Sequence, residues 1–175
     1  MIKISIVVPV YNEERNIKPF LERIEKVLTK IDQKYEIIFA LDPSKDLTEK
    51  NILEEIKRNK NIKLITFSRR FGQPSATIAG LHYCKGEYCG VIDVDLQDPP
   101  ELFFEMYNLL ETKSNYDVVL ARRKKREGET FFKKFVSSIG YYLINKLTDI
   151  EIPRNTGDFR LMRKKVVTEL KKLNE

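Results

Sequence analysis

Short runs of β-branched and aliphatic residues alternate along this chain with segments whose apolar residues recur every three or four positions. That alternation restricts the fold more than any other feature. Ile4–Val10 (ISIVVPV), Glu36–Leu41 (EIIFAL), Ile62–Phe67, Tyr88–Val94 (YCGVIDV) and Asp117–Ala121 (DVVLA) read as strands. Between the first two, Asn16–Ile31 sets Ile17, Phe20, Leu21, Ile24, Val27, Leu28 and Ile31 on one helical face. Asp46, with Glu49 three residues on, has the form of a capping box that opens a second helix. Pro74–Cys84 reads as a third helix with proline in its first turn, and Pro99-Pro100 opens a fourth over Glu101–Leu110. Such alternation predicts right-handed βαβ crossovers and an α/β fold, with a mostly parallel central sheet and helices on both faces. Ligands of these sheets bind beyond the carboxyl ends of the strands. The segments leaving the strands are YNEE, LDPSKD, SRRFGQ, DVDLQD and ARRKKREGE, all polar and several strongly charged.

With 175 residues the chain suits one domain with one core. A hydrophobic fraction of 42% and a charged fraction of 33% describe a globular chain rather than a disordered one. No apolar run approaches the roughly 18 residues that span a bilayer, and no basic head precedes a long apolar stretch at the N-terminus. A cytoplasmic location is the expectation. Cys84 and Cys89 lack a second pair that would complete a zinc site, and they read as buried thiols. His82 is the single histidine, so a metal would have to be held by oxygen ligands.

The strongest candidate for chemistry is Asp93-Val94-Asp95-Leu96-Gln97-Asp98. Asp93 and Asp95 stand two apart where the fourth strand ends, and extended geometry there turns both carboxylates to one side. Two hard anionic groups facing one point suit Mg²⁺ or Mn²⁺, with open positions left for phosphate oxygens. The competing reading is a pair of solvated turn carboxylates, or a cap for the helix after Pro99-Pro100.

Six blocks occur in order: SIVVPVYNEERNI, LDPSKD, FSRRFGQPSATIAGL, DVDLQDPPEL, DVVLARRKKREGE and NTGDFRLM. In that order they resemble the family 2 glycosyltransferases, above all the polyprenyl-phosphate type such as bactoprenol glucosyltransferases and dolichol-phosphate mannosyltransferases. The resemblance covers nearly the whole chain. It implies the single-domain, nucleotide-sugar-binding GT-A type of α/β fold. By the same resemblance Pro9, Tyr11 and Glu13 match the loop that receives the nucleoside, and Asp42 matches the carboxylate that contacts the base. Asp93, Asp95 and Gln97 match the metal and diphosphate site. Arg123 and Arg126 match basic residues that meet phosphates. Asp158 and Arg160, in GDFRL, match a motif near the sugar and acceptor. One departure stands out. The family often has two adjacent aspartates followed by glycine and serine where this chain has Leu41-Asp42-Pro43-Ser44, which bears on base and sugar selectivity.

The reaction so implied is inverting transfer of a sugar, with UDP-glucose the first choice of donor, onto a polyprenyl phosphate. A phosphate acceptor is already ionised and needs no strong base; a saccharide hydroxyl would need one, and Asp158 is the late carboxylate available. Charge placement fits a lipid acceptor. Val118–Lys146 carries eight cations against Glu127 and Glu129, a net +6 that equals the whole chain's. Within residues 122–147, Arg122–Arg126 precede a segment with Phe131, Phe132, Phe135, Val136, Ile139, Tyr142, Leu143 and Leu147 on one helical face. This reads either as a helix lying on an anionic membrane surface or as a core helix. Arg69 and Arg70 could reach phosphates or belong to an ordinary strand-to-helix loop. The five cations lack interleaved stacking aromatics and any known module, so nucleic acid is not an expected partner. A homo-oligomer stays open. Relatives of this type continue past the point where this chain stops, so a C-terminally truncated, peripheral catalytic domain at the cytoplasmic membrane face is expected, or a donor-binding fragment of little activity.

Overall fold

The computed structural model describes residues 1–122 and 156–172. Two compact units divide the chain, Met1–Val119 with Asp158–Glu175, and Leu120–Gly157. The second falls almost wholly outside the described residues, and with it Arg123, Arg126 and nearly all of the basic segment 122–147.

In chain order the elements are β1 (Ile4–Val10), α1 (Ile17–Ile31), β2 (Tyr35–Leu41), α2 (Thr48–Arg58) and β3 (Ile62–Thr66). There follow α3 (Gln73–Tyr83), β4 (Tyr88–Val91), α4 (Leu102–Thr112), β5 (Val118–Arg122), β6 (Thr156–Arg163) and α5 (Lys164–Leu170). One six-stranded sheet has the order β3-β2-β1-β4-β6-β5. β1 pairs parallel with both β2 and β4, and β2 pairs parallel with β3. β6 runs antiparallel to β4, Leu161 opposite Gly90. The expected α/β architecture is therefore present, with β6 as its antiparallel member.

Strand side chains alternate between the faces, and each face has its own helices. On one face Val7, Ile38, Cys89, Val91 and Met162 form a buried cluster with Leu81 and Cys84 from α3 and its C-cap, and with Val167 of α5. On the other, Phe39 of β2 meets Phe20 of α1 edge-on at 6.4 Å between ring centroids. There too Phe159 of β6 meets Phe103 of α4 at 4.8 Å. Two glycines permit the closest approaches. A Cβ on Gly80 would lie 2.3 Å from Val7 Cγ1, so α3 can sit against β1 only with hydrogen at that position. A Cβ on Gly90 would lie 2.5 Å from the Phe103 ring.

The lower end of the sheet encloses a polar group. Glu36, fully buried on β2, accepts from the Ser5 hydroxyl at 2.5 Å and the Lys85 N–H at 2.8 Å, and pairs with Lys63. Burial by itself would push this carboxyl up. The Lys63 ammonium, the Ser5 hydroxyl and the Lys85 N–H outweigh it and hold the group below the ordinary glutamate value.

Two local expectations are corrected. The fourth strand ends at Val91, not Val94, so Asp93 and Asp95 lie beyond it, with Asp95 in a turn. Asp46 does not form a capping box with Glu49. Helix α2 begins after Leu47, which makes no side-chain cap bond, and Asp46 Oδ1 instead accepts from the Thr48 N–H and hydroxyl in an Asx turn. Both cysteines are free and buried, as expected. No helix among the described residues is long and apolar enough to cross a membrane.

Candidate active site

The loops that leave β1, β2, β3 and β4 meet at the carboxyl ends of those strands. The first two are tied together by their own polar atoms. Asn12, held at φ 55°, donates its N–H to Ser44 Oγ at 3.0 Å and accepts the Lys45 N–H at 2.9 Å. The Glu13 N–H donates to Thr48 Oγ1 at 2.7 Å, and Glu14 Oε2 accepts the Leu47 N–H at 2.9 Å. Asp42, at the end of β2 and only 3% exposed, fixes the third loop. Its Oδ1 accepts the Phe71 N–H at 3.0 Å and its Oδ2 the Gly72 N–H at 2.8 Å. Gly72 has φ 86°, a value open to glycine at little cost, and this bend starts α3 at Gln73.

These loops enclose a cavity of about 260 Å³. Pro9, Tyr11, Glu13, Asp42, Asp93 and Asp95 line it, together with Arg70, Gly72, Gln73 and Ala76. The Arg70 guanidinium lies 4.1 Å from the Tyr11 ring centroid, a cation–π contact on the cavity wall. Asp95 Oδ1 accepts the Gln97 N–H at 3.1 Å, closing an Asx turn next to Leu96 at φ 61°. Gln97 itself is exposed and is not among the lining residues.

Asp158 and Arg160 come from β6. Phe159 between them packs on Phe103, so the alternation of the strand turns both toward the α3 face. There they line a second cavity of about 350 Å³ with Pro74, Thr77, Ile78 and Leu81 of α3 and Leu170 of α5. Asp158 and Arg160 stand 3.6 Å apart as an ion pair, and Arg160 Nε has no acceptor among the described residues. Gln73 joins the two cavities. Its amide donates to Asp93 Oδ1 at 2.8 Å and to Asp158 Oδ2 at 3.1 Å.

The acidic groups press on one another. Burial raises the Asp93 carboxyl above the ordinary aspartate value, and the charges of Asp95, Asp158 and Asp98 raise it further, against the Gln73 hydrogen bond. A hard divalent cation would relieve that repulsion, so the donor set fits such an ion. Among the described residues no group of three or more His, Cys, Asp or Glu side chains could hold a metal unaided. Asp93 and Asp95 would leave most coordination positions to water and phosphate oxygens, as Mg²⁺ sites commonly do.

The residue that sequence reasoning overlooked is Gln73. Its signal was present: it opens a helix at the carboxyl end of a strand, just after a glycine. Nothing in the sequence tells which distant carboxylates an amide there would reach.

Comparison with known proteins agrees with this geometry. Residues 5–171 match the model of glycosyl transferase family 2. The uncharacterized glycosyltransferase YkcC of Bacillus subtilis is 47% identical over 99% of this chain and 53% of its own length. A bactoprenol glucosyl transferase of Shigella phage SfV is 38% identical over 99% of this chain and 56% of its own. The chain thus spans about half the length of these curated relatives. Among solved structures, the glucosyl-3-phosphoglycerate synthase of Mycobacterium tuberculosis in complex with Mn²⁺, UDP-glucose and phosphoglyceric acid shares the fold. It superposes with a TM-score of 0.66 at 21% identity, over 94% of this chain and 57% of that one. A family model spanning nearly every residue, with relatives this similar over the whole chain, places the protein: it belongs to glycosyl transferase family 2.

Proposed function

We propose that this chain is the donor-binding and catalytic portion of a transferase that moves a sugar, glucose from UDP-glucose in the first instance, onto a polyprenyl phosphate with inversion at the anomeric carbon. The observation that carries this reading is one cavity lined by Tyr11, Glu13, Asp42, Asp93 and Asp95, with the Arg70 guanidinium on its wall. The bactoprenol glucosyl transferase relative supports the lipid phosphate as acceptor. The Mn²⁺ and UDP-glucose named for the synthase of the same fold support the donor and the metal.

In this reading Tyr11 and Glu13 meet the nucleoside, and Asp42 holds the loop that brings Arg70 and Gln73 to the cavity. Asp93 and Asp95 would hold Mg²⁺ or Mn²⁺, which supplies charge stabilisation for the departing diphosphate. Arg70 adds a fixed positive group on the same side, and Arg123 and Arg126 are proposed to do likewise. Arg160, which lines the second cavity beside Asp158, is proposed to meet an acceptor phosphate. That acceptor is already ionised, so the displacement needs no proton abstraction. The basic segment 122–147 is proposed to bind the anionic cytoplasmic leaflet, each cation contributing on the order of 1 kcal/mol.

Calorimetry with UDP-glucose and GDP-mannose, with and without Mn²⁺, tests the donor half. Tight binding of one donor that disappears on chelation is the expected result. Undecaprenyl phosphate and an oligosaccharide offered together test the acceptor half. Label on the saccharide alone would replace the lipid reading with a hydroxyl acceptor and give Asp158 the role of base.

A further inference from the structure

Two carboxylates from different strands, Asp93 after β4 and Asp158 on β6, accept from the same side-chain nitrogen of Gln73, at 2.8 Å and 3.1 Å. A primary amide has two N–H donors on one nitrogen, so it can serve both at once. Its placement is built in. Asp42 clamps the Phe71 and Gly72 N–H groups, Gly72 turns the chain at φ 86°, and Gln73 is then the first residue of α3. Asp158 is turned to the same side because Phe159 is anchored on Phe103 across the sheet. Asp158 is exposed, and among the described residues it also pairs with Arg160 at 3.6 Å. The bridging group is also neutral. A lysine could span the same oxygens, but it would bring a positive charge to carboxylates that are proposed to face a divalent cation.

We infer that Gln73 is a positioning residue: by sharing one amide between Asp93 and Asp158 it holds the acceptor-side carboxylate and its Arg160 partner in register with the donor cavity. The inference rests on the donor-cavity reading given above. Gln73 lines the donor cavity, but its amide is spent on the two carboxylates, so its loss falls on turnover more than on donor affinity.

The test uses Gln73→Met, which keeps the side-chain length and removes the donor, alongside Asp158→Ala, which removes the acceptor, and the double variant. Gln73→Met is expected to lower kcat about 10- to 100-fold, the scale of a misplaced catalytic group, while UDP-glucose affinity in Mn²⁺ stays within about twofold. The double variant is expected to turn over no more than about twofold slower than Asp158→Ala, because the two changes break the same contact. Unchanged kcat in Gln73→Met, a loss confined to donor affinity, or fully additive losses in the double variant would each overturn the inference. Failure of the donor reading shows separately, as absence of UDP-glucose and Mn²⁺ binding by the unsubstituted protein. A crystal structure of Gln73→Met then decides. Asp158 turned away from Asp93 supports the bridge, and Asp158 held in place without the amide overturns it.

Discussion

Asp42 occupies a position where a single buried carboxylate organises a loop. Its two oxygens accept from the Phe71 and Gly72 N–H groups at the strand-to-helix bend. Asp42→Ala removes both hydrogen bonds, at a cost of about 0.5–1.5 kcal/mol each. Differential scanning calorimetry should record the lower Tm, and UDP-glucose affinity should fall with it because Arg70 loses its support on the cavity wall. Asp95 is a different case, since its side chain closes only a local Asx turn. Asp95→Asn keeps that acceptor and the fold, yet should abolish Mn²⁺-dependent donor binding in the same calorimeter. Glu36 carries a pH signature. Its folded value lies below the ordinary one, so the stabilisation it provides is fully present above about pH 4.3 and is lost as pH falls through the folded value. Glu36→Gln should therefore lower stability at neutral pH, with the gap to the parent closing in urea melts below about pH 4.

At the scale of elements, the site depends on how closely α3 rests on the sheet and on how β6 is anchored within it. α3 delivers Gln73 at its first residue only because Gly80, two turns on, lets the helix rest on Val7. Gly80→Ala forces a 2.3 Å contact and should cost about 1–3 kcal/mol by overpacking, read as a lower urea midpoint with unchanged slope. β6 is held by Phe159 against Phe103. Phe159→Ala should cost about 3–5 kcal/mol. It should also slow turnover beyond the effect of Gly80→Ala, because Asp158 and Arg160 flank the lost anchor. β6 was not legible as an element in advance. GDFRLM stood out as a motif, but a strand inserted antiparallel between β4 and β5 leaves no trace in local periodicity. β4 was read three residues too long, because Ile92 and Val94 continue its hydrophobic run although the chain turns after Val91.

For the whole molecule, the proposed metal site has only Asp93 and Asp95 from the described residues, so ligands should stabilise the fold cooperatively. Mn²⁺ or UDP added singly should shift Tm little. Together at about 100 times the dissociation constant they should add roughly 2.7 kcal/mol, read as a matching rise in Tm. Charge is distributed just as unevenly, with the net +6 residing in Val118–Lys146. Lys133→Glu with Lys134→Glu should weaken sedimentation with anionic vesicles and leave UDP-glucose binding intact; undiminished sedimentation would favour a core helix there.

Sequence by itself determined the βαβ order, the strand-end location of the polar loops, the run of family blocks and the carboxylates Asp42, Asp93 and Asp95. These depend on local periodicity and on residue type, which the chain carries in its own order. Tertiary structure alone decided that Asp42 faces the Phe71–Gly72 backbone, that Arg70 lies over Tyr11, and that Gln73 spans Asp93 and Asp158. Asp93 and Asp158 are 65 residues apart, and only the packing of Phe159 on Phe103 and of Gly80 on Val7 brings one amide within reach of both.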